Sequence, residues 1–437
     1  MKLLLASTPI TGHLIPLLNL AGITMAQGAE VLVTTSSVLA PRVKAAGARF
    51  APLQGKADMD FTRVEELFPE RASLPAGPAQ IRFDMERIFI DPIPEQAATL
   101  DTLIADFGPD AIITDSMFFG RLPLFYGEPR PRPPIIGLGI TFMMLPRLDG
   151  APIGLGLPPA RNADERDQYA AIARDVDAAL LGPVNANLFA TLAGMGVTPP
   201  PCGYFEASVL GNDMFMQPTV PSFEYDFGDP PTDVRFVGAL PPSSRRFEQP
   251  DWWDRLDGSR PIILVSQGTV ANRDFDELVN PTIEALAGRD DLHLVVTTGG
   301  RPVESVRAEA SDNIFVASYV DFAELIPRLA GVVTNGGYGT VSLALQAGVP
   351  IIAVGRSEDK AEVGARVAWS GVGIELPAVP PAVDDLRDAV DRLLGEPSLR
   401  ARAQELASEF RKIDTPREIM AVITEMTSRA RPPQTSE

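Results

Sequence analysis

Apolar runs of about five residues recur along the chain and alternate with stretches in which apolar positions fall three or four apart. The first run, residues 2–7, reads as a buried strand. A polar loop over 8–13 follows, and Leu14, Leu17, Leu18 and Ala21 then fall on one helical face. Residues 29–35 form a second β-rich run, and 45–52 close another helix onto a third strand. Residues 109–115 and 134–139 predict two more buried strands, each entered through proline and left through a polar or glycine turn. The segments 53–95 and 145–200 are interrupted by proline, and their periodicity places no element.

A second series of the same rhythm begins at residue 261, with strands predicted at 261–266, 292–297, 314–316, 331–334 and 350–354. Val383, Leu386, Val390 and Leu393 share one helical face, residues 399–427 suggest further helix, and the tail from Ser428 reads as frayed. Between the two series the composition of 217–260 shifts to Pro, Asp, Ser and Arg, as an interdomain connection does. Strands alternating with helices imply parallel sheets. The expectation is an α/β chain with one domain over 1–217, a linker region over 218–260 and a second domain over 261–409. A C-terminal helix and tail over 410–437 would pack back on the first domain.

Composition changes this picture by exclusion. A chain of 437 residues exceeds what one core comfortably serves, so two domains and a cleft between them are expected. The formal charge of −19 repels polyphosphate chains and anionic membranes, which argues against a nucleic-acid partner. A small anionic ligand can still bind where backbone N–H groups converge at a helix start. With one cysteine and two histidines, neither a disulfide nor a zinc site is expected. The longest apolar run noted, 135–145, falls far short of the roughly 20 residues that span a bilayer, so no membrane span and a cytoplasmic location are expected.

Candidate chemistry is densest at Thr334, Asn335, Gly336, Gly337, Tyr338, Gly339 and Thr340, followed by a helical pattern and Gly348-Val349-Pro350. A strand ends and a helix begins at a glycine cluster. Such a turn lets a phosphate approach the backbone while the helix start offers N–H donors, although tight packing alone would use the same residues. The stretch resembles the signature of the family 1, UDP-dependent glycosyltransferases of GT-B fold, of the bacterial natural-product type. There a His-Gly-Gly-x-Gly-Thr turn precedes Gly-Val-Pro and an Asp-Gln pair.

The resemblance implies two Rossmann-like domains with parallel sheets facing each other across a cleft. It also implies donor-binding roles for Asn335, Gly336, Gly337, Gly339 and Thr340, for Asp359 at the family's Asp position, and for Lys360 beside it. Upstream, Ser318 to Leu325 is similar to the family's base-binding segment, which makes Tyr319 the stacking ring and Val320 its neighbour. Val265 to Thr269 resembles the first strand and loop, with Thr269 meeting the diphosphate. This chain departs from the family at Asn335 in place of His, Leu343 in place of Glu, and Lys360 in place of Gln or His. Lys360 either meets an acidic group of the donor or forms a solvated pair with Glu358 or Glu362 on a surface turn.

A lone histidine just before a helix, as His13 is, is more often structural than catalytic, but Gly12-His13, Pro16 and Leu20-Ala21 match the way these glycosyltransferases present their catalytic base. An acceptor hydroxyl is a weak nucleophile, and an imidazole is suited to take its proton near neutral pH. A carboxylate on the other ring nitrogen would orient the ring. Asp115, at the predicted end of a strand and at the family's partner position, is the candidate; capping the next helix is its other reading. Phe118, Phe119, Phe142 and Met143 either flank the acceptor or belong to the core.

The implied activity is inverting transfer of a sugar from a UDP- or dTDP-sugar to a hydroxyl of a small, largely apolar or phenolic acceptor. The resemblance implies no metal and no cofactor beyond the nucleotide sugar. Two other readings stand: a sugar-nucleotide epimerase of related fold, and a degenerate homologue that binds without turnover. No Gly-x-Gly-x-x-Gly follows the first strand, which disfavours a dehydrogenase. Nothing in the sequence speaks to oligomeric state.

Overall fold

The computed structural model describes residues 1–430 apart from 76, 199, 201, 230–231, 242–247, 269–271 and 309–310. Thirteen strands form two wholly parallel sheets among these residues. In the first sheet lie β1 (Lys2–Ala6), β2 (Glu30–Thr35), β3 (Arg49–Pro52), β4 (Ala111–Asp115), β5 (Ile135–Leu138), β6 (Met214–Gln217) and β7 (Val234–Phe236). The second holds β8 (Ile262–Ser266), β9 (His293–Thr297), β10 (Ile314–Ala317), β11 (Gly331–Thr334), β12 (Ile351–Val354) and β13 (Gly373–Leu376). β1, β4, β5, β6, β8 and β9 are almost completely buried, which is why the sequence shows them as continuous apolar runs rather than alternating ones.

The strand order is β3-β2-β1-β4-β5-β6-β7 in the first sheet and β10-β9-β8-β11-β12-β13 in the second. Each order reverses direction once, between β1 and β4 and between β8 and β11. The loops leaving these neighbouring strands therefore diverge and open a crevice at the carboxyl edge, where ligands of doubly wound sheets bind. Register sets the alignment: Ala6 lies opposite Thr114, and Thr334 opposite Ser266. Residues 7–13 and Asp115 thus emerge side by side in one domain, as residues 267–268 and 335–340 do in the other.

One boundary differs from the sequence expectation. β7 falls inside the stretch read as a linker, because a three-residue edge strand pairing Phe215 with Val234 is too short to show a pattern of its own. The helix Thr415–Ala430 packs on the first domain, where Ile419, Val422 and Ile423 join Leu3, Leu17 and Met214 in one core. Another core is continuous between the domains: Phe119, Phe142, Val220 and Phe223 from the first half share it with Leu264, Val341, Leu345 and Phe410.

One long helix carries no unbroken apolar run in the sequence. Residues Ala163–Gly194 form a continuous helix that, by length and composition alone, could cross a membrane. Its charges lie largely in its first half and its apolar residues are interrupted by Asn185 and Asn187, so no unbroken run marks it. Val184, Leu188 and Leu192 of this helix are fully buried in the shared core.

Candidate active site

β1 ends at Ala6, and the helix Thr11–Ala26 starts two residues before His13, so His13 stands in a first helical turn and not in the loop. Its Nδ1 lies 3.0 Å from Oδ1 of Asp115, the last residue of β4. An ionised carboxylate only accepts, so Nδ1 carries the hydrogen, and in the neutral form of the ring the lone pair is on Nε2. The pair joins residues 102 positions apart, as the switch between β1 and β4 dictates.

Asp115 is wholly buried and saturated with donors. The Thr8 N–H donates to Oδ2 at 2.6 Å, while the Thr8 hydroxyl and the Met117 N–H donate to Oδ1 at 3.2 and 2.9 Å. Burial by itself pushes this carboxyl up; the charge and hydrogen bond of His13, with the N–H groups of Thr8 and Met117, outweigh it and hold it below the usual aspartate range. An anion so held both orients the imidazole and stabilises a proton taken up by it.

The sequence offered no signal for two further members of this site. One is Thr8, which donates to Asp115 through both its N–H and its hydroxyl. Phe89 stacks on the His13 ring with centroids 6.0 Å apart and planes at 29°. It lies on a π-helical turn, Met85–Ile90, inside a segment whose periodicity was uninterpretable. Such single turns commonly occur at functional sites.

On the facing domain, Gly336 takes φ +87° and Gly337 caps the helix Tyr338–Ala347. A side chain at Gly336 would be strained by that φ, and the first turn of the helix leaves its N–H groups without helical partners. Gly339 is exposed and Thr340 half-buried in that turn. Asn335 is buried, and its amide donates to the Gln267 carbonyl at 3.0 Å, tying the loops after β8 and β11 together. Thr269 lies outside the described residues.

Tyr319 remains 38% exposed, with its ring against Gly300, where an added Cβ would come within 2.3 Å of the hydroxyl. Val320 beside it is buried. Asp359 is half-buried at the start of the helix Lys360–Trp369 and accepts from the Thr141 hydroxyl of the first domain. Burial pushes its carboxyl up, with the Thr141 bond and the Lys360 charge only partly opposing it. Lys360 pairs with Glu358, but it is buried, so the solvated surface turn is corrected: the aliphatic stem packs against Gly336 and Gly355.

The four apolar candidates separate. Phe118 and Phe119 are wholly buried in two different cores, Phe119 edge-on to Tyr204. Met143 belongs to a third, and its N–H donates to Glu224. Phe142 is buried beneath the Arg366 guanidinium, 4.6 Å from its ring centroid. All four are core side chains here.

Behind the glycine turn runs a charged network that the sequence did not disclose. Arg366 donates to Glu224 at 3.0 Å and to Glu362 at 2.7 Å, each side chain almost fully buried. Glu362 in turn accepts from the N–H groups of Gly154 and Gly156, and the Tyr338 hydroxyl accepts from Gln217 at 2.9 Å. Residues 154–156, 217 and 224 belong to the first half and 338–366 to the second, so the network fixes how the halves meet on that side. At the other end of the cleft, a cavity of about 340 Å³ lies between Ile10, Thr11 and Phe61 of the first domain and Asn272, Arg273 and Arg301 of the second.

Comparison with known proteins agrees with this geometry. Residues 282–426 match the erythromycin biosynthesis protein CIII-like C-terminal domain. The chain is 36% identical to 4'-demethylrebeccamycin synthase of Lentzea aerocolonigenes, over 94% of this chain and 95% of that protein. It is 34% identical to UDP-glycosyltransferase 2 of Phaeomoniella chlamydospora, over 97% and 95%. Among solved structures, the glycotransferase of kitacinnamycin superposes with a TM-score of 0.71 at 20% identity, covering 99% of both chains. The spinosyn rhamnosyltransferase complexed with spinosyn aglycone gives 0.66 at 19%, over 97% and 100%. Two parallel sheets meeting at their carboxyl edges, a glycine turn at a helix start and full-length relatives that transfer sugars lead to one conclusion: the chain belongs to the family 1 natural-product glycosyltransferases of GT-B fold and is a glycosyltransferase.

Proposed function

We propose that this enzyme moves a sugar, with inversion, from a nucleoside-diphosphate sugar to a hydroxyl of a small, largely apolar or phenolic acceptor. The observation that carries the reading is the His13–Asp115 contact at the carboxyl edge of the first sheet, facing the second domain. Nε2 of His13 takes the acceptor proton as the acceptor oxygen bonds to the anomeric carbon. The bond from that carbon to the diphosphate breaks, and the nucleoside diphosphate leaves with the electron pair. Asp115, already anionic, balances the imidazolium.

The leaving diphosphate is received at Asn335 to Thr340, where free N–H groups and the positive end of a helix act without a metal. Tyr319, partly exposed, stacks on the base, with the buried Val320 beside it. Asp359 and Lys360 are assigned to the sugar, as the family resemblance implies, and Thr269 to the diphosphate. The relatives support a UDP- or dTDP-linked donor, since one is named a UDP-glycosyltransferase and one structural neighbour was solved in complex with dTDP. A neighbour solved with an aglycone supports a small-molecule acceptor. The test is His13→Ala: transfer is lost while donor affinity stays within a few fold by calorimetry, and near-normal turnover would reject the assignment.

A further inference from the structure

Arg121 is completely buried in a short turn just beyond β4, and its guanidinium makes five hydrogen bonds, none of them to a carboxylate. Nε donates to the Gly211 carbonyl at 3.1 Å and Nη1 to that of Phe118 at 2.7 Å. Nη2 donates to the carbonyls of Ala207, Ser208 and Ser116 at 2.9, 2.9 and 3.1 Å. Burying a cation on carbonyl dipoles alone is costly, and burial pulls this guanidinium down to about 10. A leucine or methionine would fill the same space more cheaply, so the cation calls for an explanation.

Part of it is structural. Ala207, Ser208 and Gly211 lie at the end of the helix Tyr204–Leu210, whose last carbonyls carry the negative end of its dipole; that of Ala207 also accepts from the Gly211 N–H at 3.2 Å. The other acceptors, Ser116 and Phe118, flank Met117 in the loop that follows Asp115. The Ser116 carbonyl and the Met117 N–H belong to one peptide plane. That N–H donates to Oδ1 of Asp115 at 2.9 Å, the same oxygen that meets His13 at 3.0 Å. A peptide unit is rigid and planar, so holding its oxygen aims its N–H. A cation on the oxygen also polarises the group and strengthens the N–H as a donor.

We infer that Arg121 is a positioning residue for the His13–Asp115 pair, acting through the Ser116–Met117 peptide. The inference rests on the reading of that pair as the proton-accepting machinery. Arg121 reaches neither substrate nor His13; it fixes the oxygen on which the imidazole hangs.

The test exploits the two histidines of the chain, because His293 Nδ1 has no hydrogen-bond partner among the described residues. A low-field proton resonance that His13→Ala abolishes reports the Nδ1–H···Asp115 bond directly, without any substrate. Arg121→Lys keeps a cation but cannot span five carbonyls, and is expected to shift or broaden this resonance. Gly211→Ala is the milder variant. Its added methyl comes within 2.9 Å of the Ala207 carbonyl and 2.5 Å of Leu122, disturbing the seat of the guanidinium and moving the resonance less. With UDP-glucose and 4-methylumbelliferone as probes, kcat should fall about 10- to 100-fold in Arg121→Lys while donor Kd stays within about twofold. In the Asp115→Asn background the same substitution should cost less than about twofold more.

An unmoved resonance in Arg121→Lys overturns the inference, and if that variant does not fold, an unmoved resonance in Gly211→Ala does so. A functional His13→Ala enzyme would instead sink the proposed role of the dyad and leave the resonance result standing.

Discussion

Asp115 and Asp359 are carboxylates that burial pushes up, one on each side of the cleft, and they end on opposite sides of the usual aspartate range. Asp115 receives Thr8 through N–H and hydroxyl, Met117 through N–H, and the His13 ring. Asp359 receives the Thr141 hydroxyl, and its cationic neighbour Lys360 is already paired with Glu358. Burial alone therefore does not decide the charge of a carboxyl; the number of donors aimed at it does. The first domain presents a finished anion without any ligand. The second presents a carboxyl whose natural partners, by the proposed function, are hydroxyls of a sugar.

The contrast breaks most visibly through catalysis. Asp115→Asn keeps the shape but loses the anion, and kcat for transfer should fall by about 10²- to 10⁴-fold in steady-state assays with little change in donor affinity. The next largest effect is on stability. Arg366→Met leaves Glu224 and Glu362 buried without their cation and should cost about 3–5 kcal/mol in urea unfolding. A smaller loss would mean that the two carboxyls take up protons when the guanidinium is gone.

Acid titration of stability sharpens the comparison. Asp115 is depressed in the folded state, so its contribution is present above the ordinary aspartate value and is lost as pH falls through the folded one. Asp359 is raised, so the folded state binds its proton more tightly than the unfolded one, and its contribution shrinks as pH rises from the ordinary value through the folded one. Urea midpoints measured from pH 3 to 7 (a range of about 4 units) should show Asp115→Asn flattening the acid-side loss. Asp359→Asn should gain on wild type as pH rises; parallel curves for all three proteins would contradict both directions. The smallest expected effect is a change of donor ranking in Lys360→Gln across a panel of UDP- and dTDP-sugars. An unchanged ranking would make Lys360 a structural partner of Glu358.

Much of the site could be read from residues adjacent in sequence. The glycine turn at 335–340 and the His13 segment are local: the conformational demands fall on consecutive residues, so the residue types announce them. Asp115 stands at the polar end of an apolar run, where capping the next helix fits as well, and the family resemblance singled it out. Phe89 was not readable, since a π turn has no period of its own. Glu362 and Arg366 looked like any exposed pair four apart on a helix, because pairing at that spacing is common in solvent. Their burial depends on Glu224, 142 residues before Arg366. Phe118, Phe119, Phe142 and Met143 were ambiguous for the same reason, as an apolar residue suits a core and a ligand pocket alike.

Sequence by itself indicated the two βαβ series, their parallel sheets and the glycine turn, since periodicity and turn chemistry are properties of neighbouring residues; the family resemblance, not a local pattern, singled out His13 and Asp115. Tertiary structure decided which carboxyl is held as an anion, which apolar residues are core, and how the halves are joined. Those outcomes depend on burial and on donors supplied from segments far apart in the chain, and no local pattern encodes the company a side chain keeps after folding.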